Sequence, residues 1–331
     1  SVNIQNYQLR LDAAIPEFIY DKKTFTNTTL QSIGNKDTLN TQVAFENIAI
    51  DDSLHFPLTK LLISAHNNVS LVKLNTTGSK IIGDAELNAT IQSLSDGVKI
   101  HFYPSSFVIN NKKWQLEKDG EITLRKKIID ANEVKFFHDK QQIVISTELD
   151  ELTDNTNLVA RLSNVDLDFL PIILKEPKIS GLVTGTATLI NPFGNPILQF
   201  DGNIDSLSLD NKNIGRLNLN ASANTSTGIV NYKAIADNPD NQFMVNGFYN
   251  YKDTTGNQLS ANQQAGKLNL DILQPYLSTI FSQMSGTAQG NIKVYSGNNN
   301  QYITGDATIS NGALKIAYTQ CKYLFDKQTI H

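Results

Sequence analysis

Asp166 and Asp168 stand two residues apart, a spacing that puts two carboxylates on the same face of an extended strand. Paired carboxylates of that kind serve glycoside hydrolysis, one as general acid and the other as nucleophile or base. Here they alternate with Val165, Leu167 and Phe169, which is equally the pattern of a solvated face opposite a core. Phe136-Phe137-His138-Asp139 offers a base beside an orienting carboxylate, but the run also reads as a strand ending in a turn. The other histidines, His55, His66, His101 and His331, are scattered without the spacing of a zinc site. Asp150, Glu151 and Asp154 form an acidic turn that lacks the EF-hand pattern and its glycine. Ser180 and Ser285 stand in no nucleophile elbow and have no evident His partner. Gly181 and Gly185 precede no Lys-Ser/Thr, so they make no phosphate loop. Asn-x-Ser/Thr triplets at Asn27, Asn68, Asn75, Asn88 and Asn224 arise by chance in a chain so rich in Asn and Thr. Trp114, the only tryptophan, follows Lys112-Lys113 and reads as packed at a strand start, with a sugar-stacking platform as the alternative. No catalytic residue, no metal and no cofactor is expected.

The elements around these residues are strands. Ala85, Leu87, Ala89 and Ile91 share one face, with Glu86, Asn88 and Thr90 on the other. Val98, Ile100 and Phe102 obey the same period of two, as do Ile143, Ile145 and Leu149, then Leu158, Ala160 and Leu162. Turn signals separate the runs: Ser95-Asp96-Gly97, Asp119-Gly120, Asn195-Pro196, Asn238-Pro239 and Asn311-Gly312. The short intervals favour antiparallel pairing over βαβ crossovers. Helical spacing is confined to "DILQPYLSTIFSQM", with Leu273, Leu277, Ile280, Phe281 and Met284, and to a shorter echo, "DFLPIILKEP".

The chain has 331 residues, 40% hydrophobic and only 18% charged, with Asn, Thr, Ser and Gln making up the difference. It can bury a core, but it is short of charge for a compact soluble enzyme. A net charge of −4 without a basic stripe argues against a nucleic-acid partner. A lone Cys321 makes no internal disulfide. There is no signal peptide and no apolar run of membrane-spanning length. The opening "SVNIQNYQLRL" and the ending "YLFDKQTIH" read as cuts through a larger protein.

One phrase recurs. "ISGLVTGTATLI" at Ile179–Ile190 and "MSGTAQGNIKVY" at Met284–Tyr295 both open hydrophobe-Ser-Gly and place a second Gly four residues after the first. "VDLDFLP" precedes one copy and "LNLDILQP" the other, and "FDGNIDSLSL" and "TGDATISNGALKI" follow them. The unit is therefore strand, short helix, small-residue strand, turn, strand. Val183, Gly185, Ala187 and Leu189 fall on one face of the first copy, and Ala288, Gly290, Ile292 and Val294 match them in the second. Leu217 and Leu219 extend that apolar face, as do Leu268 and Leu270, and Leu314 and Ile316. Small residues there admit two readings. Either a neighbouring element presses on them or Gly marks a bulge, or the face is a groove filled from outside, for example by an acyl chain, at roughly 0.8 kcal/mol per buried methylene.

The order of these blocks carries a resemblance. From "DGVKIHFYPSSFVINNKKWQLEKDGEITL" through "LVARLSNVDLDFLPIIL", "ISGLVTGTATLINPFGNPILQFDGNI", "NIGRLNLNASAN" and "LNLDILQPYLSTIFSQMSGTAQGNIKVYSG" to "ITGDATISNGALKIAYTQCKYLF", the chain resembles the TamB family of translocation and assembly modules, within the AsmA-like group. The similarity runs from about Asp96 to the end. It implies an all-β fold: an elongated, curved, mainly antiparallel sheet forming an apolar groove, a β-taco, with one or two short helices. It further implies a periplasmic bridge anchored in the inner membrane through a segment not present here. The implied partners are phospholipid or another acyl-chain lipid and an outer-membrane assembly protein of the Omp85 type. The segments expected are 1–95, a β-meander over 96–163, a first groove repeat over 164–264 and a truncated second over 265–331. A surface adhesin or carbohydrate-binding β-sandwich array is the alternative, and a polysaccharide-acting enzyme built on Asp166 and Asp168 is a third reading.

Overall fold

The computed structural model describes residues 2–3, 7–50, 54–78, 82–150, 155–168, 178–274, 277–278, 280–297 and 300–331. Among them the chain is all-β and antiparallel, as the alternation predicts. Contacts divide it into two compact units, Ser1–Ala160 and Arg161–His331. The first unit takes in the expected segment 1–95 and most of 96–163, and the second takes in 164–264 and 265–331.

In the first unit, β1 (Val2–Asn3), β2 (Gln8–Tyr20), β3 (Lys23–Gly34), β4 (Thr38–Ala49), β5 (His55–His66), β6 (Val69–Thr76) and β7 (Ile82–Ser93) each pair with the next. The tightest turns have the backbone that two-residue hairpins require: Asp21 and Lys22 both take positive φ, as do Asn110 and Asn111 later in the unit. After β7 come β8 (Gly97–Phe102), β9 (Ser105–Ile109), β10 (Lys112–Leu116), β11 (Glu121–Arg125), β12 (Ile128–Asn132), β13 (Val134–His138) and β14 (Gln141–Asp150). These do not form a plain meander. One half of β7 pairs with β8, which leads on to β11 and β12; the other half pairs with β9, which leads on to β10, β13 and β14. The fork sits at Pro104, which has no N–H for a ladder. The Ser105 hydroxyl accepts from the Asn88 backbone N–H at 2.8 Å, and the Asn88 side chain donates to the Pro104 carbonyl at 3.1 Å, holding the crossing.

β15 (Asn155–Asp166) carries the chain into the second unit. There β16 (Ile179–Ile190), β17 (Ile197–Leu209), β18 (Lys212–Asn224), β19 (Ile229–Asp237), β20 (Gln242–Asn250), β21 (Leu259–Asn269), β22 (Phe281–Gly297), β23 (Asn300–Ile316) and β24 (Lys322–Ile330) run in simple succession, each antiparallel to the last. No pairing returns β24 to β16 among the described residues, so the sheet is open.

Among the described residues the helix expected in "DILQPYLSTIFSQM" appears as one 3₁₀ turn, Leu270–Leu273. Its N-cap Asn269 makes no side-chain cap bond, and Phe281 and Met284 belong to β22. Leu270, Leu273, Leu277, Phe281 and Met284 nevertheless share one cluster with Ala288 and Ile309. Their helix-like spacing reflects a turn and a bulged strand converging on one spot, not a continuous helix. The echo around Pro171 lies outside the described residues, as do Pro275, Glu151 and Asp154.

Candidate functional site

The repeated phrase proves to be a pair of bulges. In the first copy the β16–β17 register shifts between Ser180 and Leu182, at Gly181; in the second the β22–β23 register shifts between Ser285 and Thr287, at Gly286. Gly286 has φ +103°, and a Cβ there would meet the Gly312 Cα at 2.6 Å, so no other residue fits without strain. The partner strands answer at matching positions. Ile204 faces Val183 and Ile309 faces Ala288, and two residues further on Ser206 and Asn311 both take positive φ. All four facing side chains are buried. Just before each copy, Val165 and Leu167 in one and Leu268 and Leu270 in the other are buried too. The repeat read in the sequence is thus a repeat of conformation: a bulge bends each strand so that an apolar turn can lie against it.

That turn covers one margin of the sheet. Register places Val183, Ile204, Leu217, Ala236 and Phe243 in one row across five strands. Leu167 and Ile272 join this row in a cluster with Leu207, Ile214 and Leu268. At about 1.5–3 kcal/mol for each large aliphatic side chain fully buried, this margin is where the second unit gains most of its stability. Asn241, the most enclosed residue of the described chain at 0% exposure, holds the margin together. Its side-chain oxygen accepts the Asn269 N–H at 3.1 Å, directly before the 3₁₀ turn, while its amide nitrogen donates to the Ile214 carbonyl at 3.3 Å.

Along the strands toward the other margin, the cover ends. The next row is Gly185, Gly202, Leu219, Ala234 and Val245, then Ala187, Phe200, Ala221, Tyr232 and Gly247. Beyond them Leu198 is 47% exposed and Tyr249 44%. Within this stretch Gly185 is not empty space. A Cβ on it would meet the Gly202 Cα at 2.7 Å and the Phe200 ring at 3.0 Å, so an aromatic ring lies over a pair of facing glycines. At Gly290 a Cβ would meet the Asp306 carbonyl oxygen at 2.0 Å, a close approach of strand to strand. Both small residues therefore answer to packing within the sheet, and the room for a ligand lies elsewhere on the face.

The residues expected to line a groove divide accordingly. Val183, Leu217, Leu268, Leu270 and Ala288 are buried under the chain's own side chains. Ala187, Leu189, Leu219, Ile292, Val294, Leu314 and Ile316, with the two glycines, are half-buried on the same face. The opposite face is polar: Thr186, Asp201, Asn220 and Lys233 form one row there, beside a depression of about 500 Å³ that also takes in Thr188, Gln199 and Asn231.

Sequence reasoning placed no groove residue on a further apolar face, which lies in the first unit. Leu30, Val43, Leu61, Leu74 and Leu87 align across β3 to β7, and Ala13 of β2 precedes them. No apolar side chain of β2 to β7 is buried among the described residues, and Leu11 and Ile15 remain 47% and 42% exposed. The alternation Leu9, Leu11, Ala13, Ile15 was there to be read. What is buried on these strands is hydroxyl: Thr28, Ser32, Thr59 and Thr76. Ser32 bonds Thr41 at 2.8 Å and Thr59 bonds Thr76 at 2.6 Å.

The chemistry weighed from the sequence is not assembled. Asp166 ends β15 and Asp168 lies in the turn after it, so the two do not share a strand face; the Asp168 N–H donates to Asp166 Oδ1 at 3.1 Å. His138 closes β13 with Nδ1 against the Lys113 carbonyl at 2.9 Å, and Asp139 follows in the turn. Trp114 is buried in β10, facing Phe107 in register and 6.1 Å from the His138 ring. Glu121 holds Lys99 at 2.8 Å and His101 at 3.3 Å; the Lys99 hydrogen bond keeps its carboxyl below the usual carboxylate range. No group of three metal-ligating side chains occurs among the described residues. No helix among the described residues is long and apolar enough to cross a membrane. Comparison with protein families, with characterised proteins and with solved structures finds none that matches this chain.

Proposed function

We propose that the chain is a non-enzymatic shelter for hydrocarbon, a segment of an envelope-spanning scaffold whose apolar sheet face carries acyl chains, or the apolar side of nascent outer-membrane strands, past water. The observation that carries this reading is the apolar face of β2 to β7, where Leu11 and Ile15 are 47% and 42% exposed and no apolar side chain is buried. A face of that extent is costly to leave wet, and larger uncovered apolar patches mark interaction sites. The open margin of β16 to β23 offers a second stretch of the same kind. The mechanism needs no proton transfer: ladders satisfy the backbone, Asn and Thr rows meet water, and each methylene laid on the face is stabilised by roughly 0.8 kcal/mol. The periplasmic setting, the inner-membrane anchor outside this segment and the Omp85-type partner rest on the resemblance to TamB proteins alone.

A photoreactive amino acid placed along the sheet tests the reading. In a Gram-negative host, Leu61 and Leu189 should yield adducts with lipid or with unfolded outer-membrane protein, and Asn88 and Asn220, on the opposite face, should yield none. Equal labelling of both faces, or no adduct from either, would sink it.

A further inference from the structure

The two margins of the second unit differ in charge as well as in cover. The closed margin is studded with ions: Arg216 lies 3.5 Å from Asp205, Lys212 lies 3.7 Å from Asp271, and Lys267 reaches the Pro239 carbonyl. Among the described residues the open margin is formed by the turns after β16, β18 and β20, whose sequences are NPFGNP, NTSTG and YKDTTGNQ. Only two charges occur in them, and both are held locally. Lys252 Nζ donates to the Thr225 and Ser226 carbonyls at 2.7 and 3.0 Å. Asp253 Oδ1 accepts the Thr255 N–H at 2.6 Å and the Thr255 hydroxyl at 2.9 Å. Phe193 and Tyr251 stand exposed among these polar, uncharged residues.

Resting on the hydrocarbon-shelter reading above, we infer that the second unit takes a single class of occupant, an amphiphile held by its acyl chain, whose headgroup emerges over the uncharged margin and is not selected by charge. A chain lying on Leu189, Leu198 and Tyr249 has the open turns nearest its polar end, because the other margin is filled by Leu167 and Ile272. A free lysine near a headgroup would favour an anionic lipid by roughly fivefold. Lys252 is spent on two carbonyls and is offset by Asp253, leaving no such bias.

Binding of lysophosphatidylcholine and lysophosphatidylglycerol of one chain length to the whole chain, below their micelle concentrations and at low and high salt, tests the inference. The two affinities should agree within about threefold and neither should fall with salt. Adding charge to the margin by Thr227→Lys and Thr254→Lys should create a preference for the glycerol lipid of roughly fivefold per lysine, lost in high salt. An anionic preference of tenfold or more in the unmodified chain would overturn the inference while leaving the shelter standing. So would identical behaviour of the lysine variants, which would place the lipid away from this margin. Failure of both lipids to bind would remove the shelter reading and this one with it.

Discussion

The strands β2 to β7 and β16 to β23 follow one rule and finish differently. Both are single antiparallel layers with an apolar and a polar face, and both set that apolar face by alternation between bulges. In β16 to β23 the margin is completed by the chain itself: bulges at Gly181 and Gly286 bend the strands, and Leu167, Leu270 and Ile272 close over Val183, Ile204 and Ala288. In β2 to β7 no apolar side chain is buried, and the enclosed positions are Thr28, Ser32, Thr59 and Thr76. One run of strands has its own core along an edge and the other does not. A sheet with a core can stand alone, whereas a sheet finished with hydroxyls leaves its aliphatic row available to whatever lies against it.

The same substitution should therefore behave differently in the two regions. Ile204→Asp places a carboxylate in a closed apolar cluster and should cost more than about 3 kcal/mol, unfolding much of the second unit. Leu61→Asp, on a half-buried row, should leave the fold standing and lower cargo binding instead. Urea unfolding with hydrogen exchange resolved by peptide separates the two outcomes. If both variants unfold equally, the apolar row of β2 to β7 is packed after all and the contrast is void.

The glycines sharpen the contrast at smaller scale. Gly286→Ala must hold φ near +103° and push the Gly312 backbone from 2.6 Å, which should cost about 1–3 kcal/mol. Gly34→Ala, in β3, meets the Thr38 carbonyl and the Leu39 side chain at 2.8 Å, but its φ is not in the left-handed region, so it should cost less. Thermal melts of the two variants give the ranking; a reversed order would mean that the bulge is not what shapes the second sheet.

How much of this was legible is uneven, for a physical reason. Alternation is local, so Ala85–Ile91, Val98–Phe102 and Ile179–Ile190 could be read as strands, and all lie in strands. The repeat was legible as a phrase, yet its meaning was not, because a bulge is a property of two strands and only register reveals that Gly181 and Gly286 interrupt ladders. Spacing misled at Leu273–Met284, where residues brought together by a turn and a strand imitate a helix. It also hid which groove residues are covered: Val183 and Leu189 look alike in the sequence, and only the distant Leu167 and Ile272 bury the first. The fork at β7 was invisible because the pairing partners, Ile82 with Ile109 and Gln92 with Lys99, are chosen by a crossing at Pro104 and not by pattern.

The fastening of the covering turn is a separate prediction. Asn241→Ala removes one of the two side-chain donors to the Ile214 carbonyl, leaving the Asn238 amide, and removes the side-chain acceptor of the Asn269 N–H. The cost should be about 1–3 kcal/mol, concentrated in the 3₁₀ turn. Faster hydrogen exchange across 268–274 with little change in β2 to β7 is the expected result. Uniform loosening of both units would show instead that the turn is not an independently fastened lid on its sheet.

The finest test concerns the hydroxyls that end the other face. Thr59 and Thr76 are 2.6 Å apart, Thr59 reaches the Phe56 carbonyl and Thr76 the Thr77 carbonyl, each at 3.2 Å, so one hydroxyl donates to the other and the second donates to a carbonyl. Thr59→Val alone removes one partner from a buried oxygen and should cost about 1 kcal/mol. Thr59→Val with Thr76→Val replaces both by groups of the same shape and should recover part of that loss, because no hydroxyl is left without its partner. If the hydroxyl row is merely a substitute for apolar packing, the double variant should bind hydrocarbon as well as the unmodified chain does. If the row instead keeps the margin from drawing cover onto itself, the double variant should hold its stability and lose capacity for cargo. A coupling energy near zero in this cycle would mean that Thr59 and Thr76 are enclosed independently, and the finish of β2 to β7 would then need another explanation than paired hydroxyls.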